Sequence, residues 1–187
     1  MRVGIDVTYA AKREGTGTYI RNLVNALARH PEIEIITFTR PRLAFVRLLP
    51  RPFARLTNGL FSIIWLQIAV PIIARQQRLD LFHAPAFLAP LFLPCPLVVT
   101  LLDAFQNSLR AQPDRLWSLY LRAFSRLVVN RAHKVLTISH YAAEDLRHFF
   151  DLHGDRLVVT PLGVAPDFRH LTEKQTTQLF GNGQLPD

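Results

Sequence analysis

What most constrains the fold of this chain is a rhythm. Short, continuous apolar runs at residues 3–7, 33–38, 81–83, 97–102, 135–138 and 157–160 are separated by longer stretches of helical period. The runs are rich in Val, Ile and Leu and do not alternate with polar residues, as expected of strands covered on both faces. Between them, Tyr19, Ile20, Leu23, Val24 and Leu27 form one helical stripe, and Leu116, Leu119, Tyr120, Ala123 and Leu127 a second. Pro113-Asp114 suits the opening turn of the second helix, and Ser139 stands at an N-cap position. Strands alternating with helices predict an α/β domain with a doubly wound, mostly parallel, Rossmann-like sheet.

A chain of 187 residues with 49% hydrophobic residues can bury roughly 70% of the surface it would expose unfolded, so a real core is expected. The single cysteine, Cys95, allows no internal disulfide and favours a reducing compartment. MRVGIDV reads as a buried strand and not as the basic, then apolar, start of a signal peptide. These features predict a cytoplasmic protein.

Two segments depart from the alternation. Residues 41–78 contain GLFSIIWLQIAVPIIA, an apolar run short of the ~20 residues of a membrane span. A buried or interfacial helix kinked at Pro71 is expected there. HAPAFLAPLFLPCP has no stable period and reads as a packed loop between two strands. The last stretch, residues 171–187, turns polar and Gly/Pro-punctuated like a linker, leaving residues 1–170 as the domain.

In open α/β sheets ligands bind beyond the carboxyl ends of the strands. That rule selects the loop from Thr8 to Gly17, then His83, Asp103 and Ser139. Gly15-Thr16-Gly17 sits where the first helix begins, so its backbone N–H groups could meet a ligand, or the glycines could simply permit a turn. It is not a dinucleotide fingerprint, because the third glycine position holds Ile20 and the second strand ends in Phe38-Thr39-Arg40 without an acid. No Gly-Lys-Ser/Thr follows to make a P-loop. Asp103 could cap the next segment or accept a hydrogen bond from a substrate hydroxyl. His83 could be a satisfied core residue or a ligand contact. Ser139 can cap its helix and touch a ligand as well. The seven histidines show no ligand spacing with carboxylates, so no metal is expected.

The formal charge of +8 is concentrated: seven arginines and no acid lie between Arg40 and Arg78. A solvated basic face, a membrane-surface patch through Arg42, Arg47, Arg51 and Arg55, and nucleic-acid binding are the three readings. Pro50 and Pro52 prevent one helix across Arg47, Arg51 and Arg55. Only three lysines and no reading motif speak against nucleic acid.

Taken in order, GIDVTYAAKREGTGTYIRNLVNALAR, DLFHAPAFLAPLFLPCPLVVTLLD, VLTISHYAAEDL and RLVVTPLGVAPDF resemble the amino-terminal half of glycosyltransferase family 4. The resemblance implies retaining enzymes of GT-B architecture, in which two Rossmann-like domains face each other across the active site. It implies that residues 1–170 are the acceptor-side domain and that 171–187 lead toward a donor-binding domain not contained in these residues. A nucleotide-sugar donor and a glycan or lipid-linked acceptor are the implied partners, with no cofactor and no metal. Gly15, Thr16, Gly17, His83 and Ser139 match cleft-facing positions, and Asp103 is the matching catalytic candidate. The family commonly has His-Asp where this chain has Leu102-Asp103, and Gly-Val-Asp where it has Gly163-Val164-Ala165. Without the donor half the chain is expected to be inactive. The arginine segment adds the expectation of a peripheral position on the inner face of the membrane.

Overall fold

Continuous Val/Ile/Leu runs form strands when helices cover both faces of the sheet they enter. That is the arrangement found. The computed structural model describes residues 1–41, 43, 44, 46, 50–86, 88–102, 115–152 and 154–163. Its strands are β1 (Arg2–Asp6), β2 (Glu34–Phe38), β3 (Leu81–Ala84), β4 (Leu97–Thr100), β5 (Lys134–Thr137) and β6 (Leu157–Val159). All six expected strands are present, each within two residues of its expected bounds or trimmed at the end. They form one six-stranded sheet of order β2-β1-β3-β4-β5-β6. Every pairing is parallel, with Ile5 beside both Thr37 and His83, and His83 beside Val98.

The helices are α1 (Gly15–Leu27), α2 (Arg51–Ile64), α3 (Val70–Gln76), α4 (Arg115–Arg131) and α5 (His140–Phe150). Right-handed crossovers place α1 on one face, because β1 to β2 runs opposite to every later step along the sheet. The other face carries the larger core. There Phe82, Val99 and Val135 from the strands meet Val70 and Ala74 of α3, Val128 of α4 and Leu146 of α5. Phe38 and Phe82 meet edge to face, with ring centroids 5.2 Å apart. The fold is thus a doubly wound, Rossmann-like α/β domain.

Pro71 leaves its mark as a π turn. A proline in a helix has no N–H and crowds the carbonyl four residues earlier. Between α2 and α3, residues Trp65–Ala69 form a π-helical turn, and the Val70 N–H reaches the Trp65 carbonyl. The widened turn joins α2 and α3 into one continuous rod instead of breaking it. Of the two expectations for this run, burial is corrected. Only the face carrying Val70 and Ala74 is buried, while Leu60, Ile64, Ile68 and Ile72 are exposed. The 21 residues Leu56–Gln76 are long and apolar enough to cross a membrane, with mean hydropathy 1.7. Packing explains why the segment lies on the domain: Trp65, Leu66 and Ile73 rest on the core, and the Gln67 amide holds the Ala89 carbonyl and the Leu91 N–H. Those two bonds also pin the proline-rich connection between β3 and β4, where Ala89 is fully buried, as expected of a packed loop.

Residues 171–187, expected to be a linker, lie outside the described residues, as do Asp103, Arg42, Arg47 and the side chain of Arg55.

Candidate functional site

The chain leaves β1 for β2 on one side and returns to β3 on the other, so the sheet order reverses between β1 and β3. A crevice opens at such a switch point, beyond the carboxyl ends of the strands. Two polar groups of this chain gather there.

The first is a hydrogen-bonded line across β3, β4 and α1. His83 Nε2 lies 2.8 Å from Thr100 Oγ1, and Thr100 Oγ1 lies 3.1 Å from the Tyr19 hydroxyl. His83 is the third residue of β3 and is buried, not beyond the strand end as the sequence suggested. Burial strips water from the imidazole and pulls its pKa down to about 4, so it is neutral at pH 7. A hydroxyl between a neutral ring nitrogen and a phenol can donate to one neighbour and accept from the other, which satisfies the line without any charge. Burial also raises the Tyr19 phenol, with the Thr100 bond opposing. Tyr19 is half-buried and forms the accessible end of the line.

The second group lies at the tips of β1 and β2. Asp6 accepts from the Thr8 N–H at 2.9 Å, closing an Asx-type turn. Thr8 Oγ1 in turn accepts from the Arg40 N–H at 3.2 Å. Burial pushes the Asp6 carboxyl upward, and the bonds from Thr8 hold it back in part. The Tyr9 phenol is raised by the same cause and by the nearby Asp6 charge, while Arg40 works against both. Arg40 itself is committed: its guanidinium donates to Ser62 Oγ at 2.9 Å and to the Asn58 carbonyl at 3.4 Å, tying the β2 tip to α2.

The glycine loop connects these groups. Helix α1 begins at Gly15 with Glu14 as N-cap and no side-chain cap, so its first N–H groups are not spent on a capping side chain. Gly17 is needed by the chain itself. A Cβ there would come 2.0 Å from the Lys12 carbonyl oxygen and 3.0 Å from that of Tyr9. Gly15 has open space around the same position. Arg21 fastens the loop by donating to the Ala10 and Lys12 carbonyls and to Thr18 Oγ1. Gly17 therefore approaches its own loop, and that packing sets the angle at which α1 carries Tyr19 to Thr100.

Of the residues singled out from the sequence, His83 is linked through Thr100 to Tyr19 on α1, the helix that Gly15, Thr16 and Gly17 open. Ser139 lies farther along the sheet, at the tip of β5, and its Oγ caps α5 by accepting from the Ala142 N–H at 3.1 Å. Sequence reasoning missed Asp6, Tyr19 and Thr100. Asp6 and Thr100 lay inside runs read as apolar strands and end the strands found there, and Tyr19 belonged to an apolar helical stripe. Polar residues inside such runs were the available signal. Among the described residues, no group of three or more His, Cys, Asp or Glu is placed to hold a metal ion.

A sequence model described as Glycosyltransferase Family 4 matches residues 13–168. The chain belongs to glycosyltransferase family 4. The match includes Gly15-Thr16-Gly17, the Tyr19–Thr100–His83 line and Ser139, while Asp6, Thr8 and Tyr9 of this family 4 domain lie just ahead of the matched region. Among solved structures, it is similar to UGT73P12 of Glycyrrhiza uralensis, complexed with glycyrrhetinic acid 3-O-monoglucuronide, at 14% identity and a TM-score of 0.44. That likeness covers 88% of this chain and 42% of the other, so the chain spans less than half of that protein's length. No protein with a curated description matches the sequence significantly.

Proposed function

We propose that this domain is the acceptor-side wall of a retaining glycosyltransferase. In this reading a sugar passes from a nucleotide-sugar to a glycan or lipid-linked acceptor, on the cytoplasmic side and at the inner face of the membrane. One observation carries it: in a chain of this family, the Asp6–Thr8 turn and the half-buried Tyr19, held by buried Thr100, lie at strand ends beside the point where the sheet order reverses. Hydroxyl and carboxyl groups held by their neighbours are suited to orienting an acceptor hydroxyl, which contributes to rate by alignment. Asp103 remains the proposed catalytic contact, with Gly15, Thr16, His83 and Ser139 as substrate-side residues.

Transfer also requires donors that hold the leaving diphosphate as its charge develops. Among the described residues at these strand tips, the Arg40 guanidinium is already bonded to Ser62 and Asn58, and that of Arg21 to the glycine loop. That task therefore falls to a donor-binding domain, in the same chain or another, and the reading invokes no metal. The 187-residue chain by itself should transfer nothing. The test supplies a panel of radiolabelled nucleotide-sugars with soluble and lipid-linked glycan acceptors, with and without a family 4 donor domain. Transfer only in the paired reaction, with the donor's anomeric configuration kept in the product by NMR, is expected. Turnover by the lone chain, or inversion, would overturn the reading.

Leu102 favours a second reading. It stands where the family commonly has histidine, so the domain could bind without catalysing. Acceptor binding with no transfer in the paired reaction, restored by Leu102→His, would establish that alternative.

A further inference from the structure

The rod made by α2, the π turn and α3 presents an apolar line to the outside. Phe53, Leu56, Leu60, Ile63, Ile64, Ile68 and Ile72 are each between 42% and 62% exposed, although they are the residues that burial should claim first. They succeed one another at helical spacing over five turns, so they form a stripe and not scattered exposures.

The π turn keeps that stripe straight. On an uninterrupted α-helix at about 100° per residue, Ile72 would sit about 100° around the rod from Phe53. A single π turn absorbs one extra residue, which takes back about that angle and returns Ile68 and Ile72 to the line of Phe53, Leu60 and Ile64. Pro71, which provokes the π turn, thus aligns the outward face.

The charge around the stripe identifies what covers it. No acid lies between Arg40 and Arg78. Arg51 opens α2 and Arg75 closes α3, both exposed, and neither has an ion-pair partner among the described residues. A cation at a helix N-terminus opposes the helix dipole, so Arg51 does nothing for the helix that carries it. Apolar residues along one face with unpaired arginines at its ends complement a surface that is apolar inside and anionic at its rim. A second copy of this chain would bring the same positive charges against themselves.

We infer that the rod is an in-plane membrane anchor, with Phe53 to Ile72 lodged in the acyl boundary of an anionic bilayer and arginines among the headgroups. It does not span the bilayer. Val70, Ala74 and Gln67 hold it against the domain, and their packing would be lost if it crossed. This deepens the membrane part of the preceding reading and is independent of its sugar chemistry.

The test is co-sedimentation of the full chain with vesicles of phosphatidylcholine alone, and with vesicles of equal parts phosphatidylcholine and phosphatidylglycerol. Binding to the anionic vesicles is expected to be strong and to weaken as salt is raised. Ile64→Asp with Ile68→Asp should weaken it about tenfold or more. Tyr141→Asp, on α5 and 77% exposed, should leave it unchanged. Circular dichroism verifies that the variants fold, and the salt dependence of the unmodified chain stands as a second measurement. Equal binding to both vesicle types, or undiminished binding by the stripe variant, overturns the inference. So does a chain that ignores vesicles but forms a dimer that the stripe variant dissociates. None of these failures touches the transfer reading, because no sugar enters the assay.

Discussion

The switch-point crevice and the α2–α3 rod treat polar and apolar groups in opposite ways. In the crevice, polar side chains are taken out of water and given partners inside the protein. His83 and Thr100 are buried, and no buried side-chain nitrogen or oxygen among the described residues lacks a hydrogen bond. On the rod, apolar side chains are left about half exposed to water. The comparison teaches where the domain is self-sufficient. Crevice residues are held by their own network, so substitutions there should cost stability. Rod residues contribute little to the isolated fold, so substitutions there should cost association.

The widest test of the contrast is pH. His83 has a folded pKa of about 4, below the ordinary imidazole value near 6.5, so the unfolded chain binds a proton that the folded chain refuses. Its stabilising contribution is complete above about pH 6.5 and is lost as pH falls toward 4, amounting to about 3 kcal/mol. The Asp6 carboxyl, raised by burial, acts in the opposite sense in the carboxylate range. The urea midpoint of the unmodified chain should therefore fall between pH 7 and 5, and His83→Gln should remove much of that slope. An identical slope in the variant would show that another group governs it.

Next comes the loop. Gly17→Ala sets a methyl group against the Lys12 carbonyl, which is backbone and fastened by Arg21. A loss of about 2–3 kcal/mol is expected in denaturant unfolding, the upper part of the range for overpacked sites. Gly15→Ala meets open space and should be nearly silent. Similar losses at both glycines would contradict the packing role assigned to Gly17.

Thr100→Val keeps the shape of the side chain but removes the atom shared by His83 and Tyr19. Buried His83 Nε2 is then unpaired, at a cost of about 1–3 kcal/mol. The imidazole NMR shifts of His83 should move with it. A variant as stable as the parent would show that the line is not structural.

Smallest of all is the rod. Ile64→Ser or Leu60→Ser should change unfolding stability by less than about 0.5 kcal/mol, because each side chain is half exposed already. A loss of several kcal/mol would mean that the stripe is covered inside the folded chain, and the contrast between the two regions would vanish.

Much of this was legible in the sequence, and the reasons differ by residue. The six strands were readable because both faces of a parallel sheet must be apolar, so each strand is a continuous run. Ser139 was readable because an N-cap acts within three residues, and its bond to Ala142 is local. Thr100 and Tyr19 were not readable, because their partnership spans 81 positions and depends on β4 and α1 packing side by side. Gly17 was half readable. Its place at a helix start was plain, but the Lys12 carbonyl that claims its missing side chain depends on how the loop folds back. Glycosyltransferase family 4 could be recognised from the order of its motifs alone.

By itself, the sequence determined the alternation of strands and helices, the acid-free basic segment and the proline that interrupts an apolar run. Those are properties of neighbours along the chain. The tertiary structure decided that the apolar run faces outward, that Arg40 is already engaged, and that a buried neutral histidine is linked through a threonine to a tyrosine. Such outcomes depend on which surfaces meet, and burial and hydrogen bonding between distant residues exist only once the sheet has closed its order.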